Sequence, residues 1–220
     1  RARLVGSEMC IRDRVWMHQN PVEVSILSDE KTIISPVESA VSYLITVPLQ
    51  IWFIFWLLRR RKIDLSKNLG LYHFNRNALI YSLVAYLILY LVLTAYSYAF
   101  QISPPEEFIK LMQATPFVLN FLMVVIGAPI VEELLFRGFL FSQLKTTKLG
   151  INGSIILTSL IWTSIHLQYD LFLLIPIFLI GLLLGYLMHK YNSLYLVIIV
   201  HAVHNLQATL FIEFFYDYFY

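Results

Sequence analysis

Polar positions are sparse along this chain, and the residues between them gather into apolar blocks. Six blocks stand out, at 40–58, 78–100, 115–141, 153–166, 171–188 and 194–212. Crossing the hydrocarbon core of a bilayer takes roughly 20 residues as helix, and most of these blocks have that reach. The pattern predicts an all-α fold, a polytopic integral membrane bundle of about six transmembrane helices. No internal repeat or low-complexity tract interrupts it. Only "RRRKIDLSKNLGLYHFNRN" and "QISPPEEFIKLMQA" make long connections, so one compact domain is expected.

Composition strengthens this reading. Hydrophobic residues make up 59% of the chain, charged residues 14%, and mean hydropathy is +0.70. A soluble domain carries about a quarter charged residues. The net charge of +2 has no basic cluster interleaved with aromatics behind it, so nucleic acid is not an expected partner. Cys10, the one cysteine, excludes an intrachain disulfide and a cysteine-based metal cluster. The opening "RARLVGSEMCIRDRVW" resembles neither a signal peptide nor a helix start. Residues 1–16 read as a non-native leader, with the chain proper beginning at Met17.

Charge is distributed unevenly between the connections. Arg59, Arg60, Arg61, Lys62, Lys67 and Arg76 follow the first block, and Lys145, Lys148 and Lys190 fall on the same side. The opposite side holds Lys31 and Lys110 against Glu23, Asp29, Glu30, Glu38, Glu106, Glu107, Asp170, Glu213 and Asp217. By the positive-inside rule the basic loops are cytoplasmic and both termini extracytoplasmic. The aromatic tail at 213–220 reads as an interfacial anchor, and Gly181 and Gly185 as a small-xxx-small packing stripe.

Against this background "PIVEELLFRGFL" is out of place. Glu132, Glu133 and Arg137 lie inside the third block, where ionisable groups are costly and are usually paired or functional. On a helix, Glu133 and Arg137 stand four apart with the glutamate N-terminal, the favourable order for an ion pair. Glu132 lies about 100° around, with no partner in the sequence pattern, and is a candidate general base. His166 closes "SLIWTSIH", while His201, His204 and Asn205 lie in "LVIIVHAVHN". His201 and Asn205 share a helix face. Any one of these histidines alone is more simply an interhelical hydrogen bond. Together with two isolated carboxylates they are expected to converge in a bundle cavity. HExxH, GxGD and GxSG signatures are absent; Ser159 and Ser164 near His166 are weak nucleophile candidates.

"EELLFR", "WTSIH" and "HAVHN", in that order on separate blocks, resemble the EExxxR, FxxxH and HxxxN motifs of the CPBP (Abi) family. That family unites CAAX prenyl proteases with bacteriocin-processing and immunity proteins. The resemblance covers about residues 115–212, a four-helix catalytic core, with 17–114 adding two further helices. Trp162 stands where the family usually has phenylalanine. The resemblance implies that Glu132 and His166 activate water for peptide hydrolysis. It implies that His201 and Asn205 polarise the scissile carbonyl, with Glu133, Arg137 and Trp162 as structural support. His204 matches no motif position and is left as an outer-layer candidate.

A cofactor is left open. Glu132, His166 and His201 would make a Zn2+ set with water in the fourth position. The same residues suit a metal-free glutamate mechanism, which Asn205, a poor zinc ligand, favours. The expected partners are the lipid bilayer and a membrane peptide or protein substrate. The expected location is a bacterial plasma membrane, where peptide maturation or bacteriocin self-immunity would follow by analogy. A proton-coupled transporter and a non-catalytic immunity scaffold are the rival readings. Depth poses a difficulty. His166 falls near the outer end of its block and His201 about 10 Å in from the other side, so "LQYD" is expected to be sunk within the bundle. Gly127 and Pro129 are expected to break the third helix.

Overall fold

Six long helices account for the apolar blocks. The computed structural model describes residues 36–60 and 64–216. The leader at 1–16, Cys10, Met17, Glu23, Asp29, Glu30, Lys31, Arg61, Lys62, Asp217 and the end of the aromatic tail lie outside the described residues. The helices are α1 (Pro36–Arg60), α2 (Leu65–Leu69), α3 (Arg76–Ala99), α4 (Glu106–Ala114), α5 (Phe117–Leu144), α6 (Gly150–Ser164), α7 (Leu171–Tyr191) and α8 (Leu194–Phe214). Five of them, α1, α3, α5, α7 and α8, are long and apolar enough to cross a bilayer. The chain is an integral membrane protein.

The fourth block differs from expectation. With 15 residues, α6 spans roughly 22 Å, short of the roughly 30 Å hydrocarbon layer. Its inward face is hydroxylated, and the Ser154, Thr158, Ser159 and Thr163 hydroxyls each donate to the carbonyl four residues back. Polar side chains thereby sit in an apolar bundle without orphaned groups. The predicted glycine stripe on α7 faces this surface. A Cβ on Gly181 would stand 3.0 Å from Ser159 Cβ, and one on Gly185 would stand 3.0 Å from Ile155 Cγ2. The stripe serves close packing of α6 on α7.

The third block is not broken, but its hydrogen-bond register changes twice. Between Phe121 and Gly127, and again between Leu134 and Leu140, α5 widens into π-helix, with α-helix between them at Ala128–Glu133. Proline is one cause. Ala128 N–H bonds Met123 O, five residues back, and the next residue is Pro129, which has no N–H to offer Val124 O. That carbonyl takes its hydrogen bond from Asn205 Nδ2 of α8 at 2.8 Å. Pro176 creates the same need in α7, where the Tyr96 hydroxyl of α3 donates to Phe172 O at 3.4 Å. In both places another helix supplies the donor that proline removes, as an apolar solvent requires.

Both long connections carry helices that periodicity alone did not suggest. Asp64 caps α2 through Lys67 N–H, and Leu69 is fully buried. In α4, Pro105 and two glutamates open the helix, and Ile109 and Met112 pack with Ile212 of α8. On its outer face Lys110 lies 2.6 Å from Glu106 and holds that exposed carboxyl below its ordinary range.

The loop after α2 ties the basic stretches to one end of the bundle. Leu194 N–H donates to Gly70 O at 2.8 Å, the Ser193 hydroxyl donates to Tyr72 O at 2.6 Å, and Gln143 Nε2 reaches Asn68. Gly70 is left-handed at φ 67°, and a Cβ there would stand 3.2 Å from Asn192 O. Gly70→Ala is therefore expected to cost about 1–3 kcal/mol and to lower the thermal midpoint of the detergent-solubilised protein. An unchanged melt by circular dichroism would contradict this.

Candidate active site

The acidic pair on α5 sits between the two π-helical stretches, a kind of local irregularity often found at functional sites. Glu133 and Arg137 are both fully buried, and Arg137 Nη1 donates to Glu133 Oε1 at 2.8 Å. Arg137 Nη2 also donates to Gly181 O at 3.0 Å, which ties α5 to α7. The expected i,i+4 pair is formed. Glu133 Oε1 additionally lies 2.8 Å from His201 Nδ1, so one carboxylate oxygen joins a guanidinium of its own helix to an imidazole of α8. An ionised carboxylate only accepts, which assigns the proton to Nδ1 and turns Nε2 toward Glu132 Oε2, 3.9 Å away.

Glu132 has the partner that the sequence pattern lacked. Trp162 Nε1–H donates to Glu132 Oε2 at 2.5 Å. The Glu132 side chain is 21% exposed against 0% for Glu133, so the two neighbours occupy different surroundings. Glu133 is enclosed by its ion pair, whereas Glu132 faces accessible space.

Trp162, on the buried face of α6, stands at the centre of the group. The Arg137 guanidinium lies 4.9 Å over its ring. His166 meets the ring edge-on at 5.4 Å and His201 at 5.3 Å. His166 Nδ1 is 3.0 Å from the carbonyl of Trp162. A carbonyl only accepts, so Nδ1 carries a proton, and in the neutral imidazole the lone pair is then on Nε2.

Glu132, Glu133, Arg137, Trp162 and His201 are thus joined by direct contacts. His166 joins through Trp162, and Asn205 through Val124 O. One amide hydrogen of Asn205 is committed there, and the second has no partner among the described residues. The geometry does not require "LQYD" to be sunk: Leu167 is 68% exposed and Leu171 70%. Because α6 is short and Trp162 makes the reach to Glu132, the turn stays on the outside of the bundle. Its backbone is closed by His166 N–H to Thr163 O and Tyr169 N–H to His166 O.

His204 belongs elsewhere. It faces α3, where the Tyr86 hydroxyl lies 3.2 Å from both His204 Nδ1 and Gln207 Oε1, and Gln207 Nε2 donates to Tyr90. The Ser159 and Ser164 hydroxyls are spent on their own helix's carbonyls. Tyr43 of α1 is a neighbour that no motif marks. Its ring lies against the bare backbone of Gly127, where a Cβ would stand 3.1 Å from Tyr43 Cε1. A lone tyrosine in an apolar helix gives no sequence signal of this.

Among the described residues, no three His, Cys, Asp or Glu side chains converge closely enough to hold a metal ion. Glu132, His166 and His201 are not gathered into such a group in this arrangement.

No curated protein and no solved structure matches the chain. The family model described as "Type II CAAX prenyl endopeptidase Rce1-like" matches residues 114–207, a span that contains α5 from Phe117, all of α6 and α7, and the site residues of α8. That segment, which carries every motif residue of the site, is similar to the Rce1-like type II CAAX prenyl endopeptidases.

Proposed function

We propose that this protein is an intramembrane endopeptidase that hydrolyses peptide bonds of membrane-associated peptides or proteins without a metal. The family supplies the reaction class. Glu132 is the general base, and His166 Nε2, with its free lone pair, receives the second proton contact of the attacking water. His201 and the uncommitted amide hydrogen of Asn205 polarise the scissile carbonyl. To donate from Nε2, His201 works as the imidazolium, whose charge balances one of the two adjacent carboxylates. Glu133 and Arg137 orient His201 and bind α5 to α7.

The observation that supports this reading best is the contrast within the acidic pair. Glu133 is closed into an ion pair, while Glu132 beside it is accessible, with His201 Nε2 3.9 Å from its Oε2. A purely structural network would not need the second carboxylate.

The basic stretches gathered at one end of the bundle support a topology with those loops cytoplasmic and both termini outside. A bacterial plasma membrane is the proposed setting, with peptide maturation or self-immunity as the role. The test is cleavage of a library of membrane peptides by purified protein in nanodiscs. Cleavage is expected to persist with a zinc chelator. Loss of activity on chelation would overturn the metal-free reading, and no cleavage of any peptide by folded protein would overturn the protease reading.

A further inference from the structure

Trp162 does more than fill space between helices. Its side chain contacts Arg137 and Glu132 of α5 and His201 of α8, and meets His166 edge-on just beyond α6. It is 3% exposed, and Gly181 makes room for it, since a Cβ there would stand 3.1 Å from Trp162 Cε3. The indole is therefore held on several sides, and its one polar atom points at the carboxylate.

We propose that Trp162 is a positioning residue, whose N–H pins Glu132 Oε2 and leaves the other carboxylate oxygen aimed at the attacking water. The proposal rests on the reading of Glu132 as the base. The terminal torsion of a glutamate is soft and roughly two-fold, so nothing within the side chain fixes the carboxylate plane. The indole N–H donates directly to Glu132 Oε2, and a hydrogen bond to a carboxylate is stronger than one between neutral groups. Arg137 lies over the same ring. A cation on the π-face draws electron density from the indole and sharpens its N–H as a donor. Arg137 thus acts on both glutamates, directly on Glu133 and through the indole on Glu132. A phenylalanine, which the FxxxH pattern would place at 162, keeps the ring contacts but has no donor.

Trp162→Phe is expected to lower kcat by roughly 10–100-fold, the scale of a misplaced reacting group, with KM within about threefold of wild type. Replacement of Trp162 by 3-benzothienylalanine, the same ring shape with sulfur in place of N–H, is expected to do the same and guards against a packing defect. A spectroscopic readout is independent of turnover. In protein labelled with 15N-tryptophan, which carries four indoles, the resonance missing from Trp162→Phe is expected to lie furthest downfield and to move upfield in Glu132→Gln.

Wild-type kcat in the benzothienyl variant, or a Trp162 resonance that ignores Glu132→Gln, would overturn the proposal while leaving the protease reading intact. A wild-type protein that cleaves nothing would sink the reading of Glu132 as base, and this role with it, even if the resonance shifts.

Discussion

Glu132→Gln is expected to reduce peptide hydrolysis by about 10²–10⁴-fold, the usual worth of a general base, while the bundle stays folded. The two halves of this expectation come from different facts. Glutamine matches glutamate in shape, and its amide oxygen still accepts the Trp162 N–H, so no buried donor is orphaned. Glu132 is also partly accessible and outside the Glu133–Arg137 ion pair, so loss of its charge leaves that buried pair intact. What glutamine lacks is basicity. Glu132→Ala would be a poorer choice, because a buried indole N–H without an acceptor costs about 1–3 kcal/mol and confuses stability with chemistry. The measurement is the initial cleavage rate in nanodiscs beside the thermal melt of each variant. A rate within threefold of wild type, with an unchanged melt, would remove Glu132 from the reaction. Retained structure with lost turnover would separate it from its neighbour Glu133.

The long helices were legible because membrane spans are written in composition. Each must be apolar over most of its length, and residues such as Arg59, Lys145 and Lys190 punctuate them. The Glu133–Arg137 pair was legible for an equally local reason, since four residues place two side chains on one helix face. Other features depend on depth and register, which no local pattern carries. A one-residue change of hydrogen-bond register at Pro129 decides which α5 carbonyl is orphaned, and hence that Asn205 is anchored to Val124 O. The shortness of α6 keeps the turn after His166 outside the bundle. Trp162 resembled an aromatic spacer because sequence shows the ring and not the direction of its N–H. Tyr43 lay beyond reach altogether, since its place beside the site helix exists only through the packing of α1 on Gly127.

Arg137→Met is expected to be the most damaging single substitution for the fold, more so than any change at Glu132. Arg137 is fully buried, pairs with Glu133, donates to Gly181 O and covers the Trp162 ring. Methionine fills much of the volume but leaves Glu133 as a buried anion with only His201 against it. Breaking one side of a buried ion pair costs about 3–5 kcal/mol, a large share of the 5–15 kcal/mol that holds a typical domain together. The variant is expected to aggregate on extraction or to melt well below wild type. Glu133→Gln alone strands the guanidinium, which retains Gly181 O and the indole face, so its cost is expected to be smaller. The double variant Glu133→Gln/Arg137→Met removes both charges at once and is expected to recover most of the loss, because replacement of a whole buried pair is often near neutral. Glutamine at 133 can still accept from His201 Nδ1, so His201 keeps its orientation. Yet the cation over the indole is gone, and the recovered protein is expected to remain slower than wild type. Thermal melts of the four proteins form a double-mutant cycle. If the double variant loses as much as the two single losses added together, the pair is not coupled and its contact is incidental. If stability returns while turnover does not, Arg137 serves the site as well as the fold.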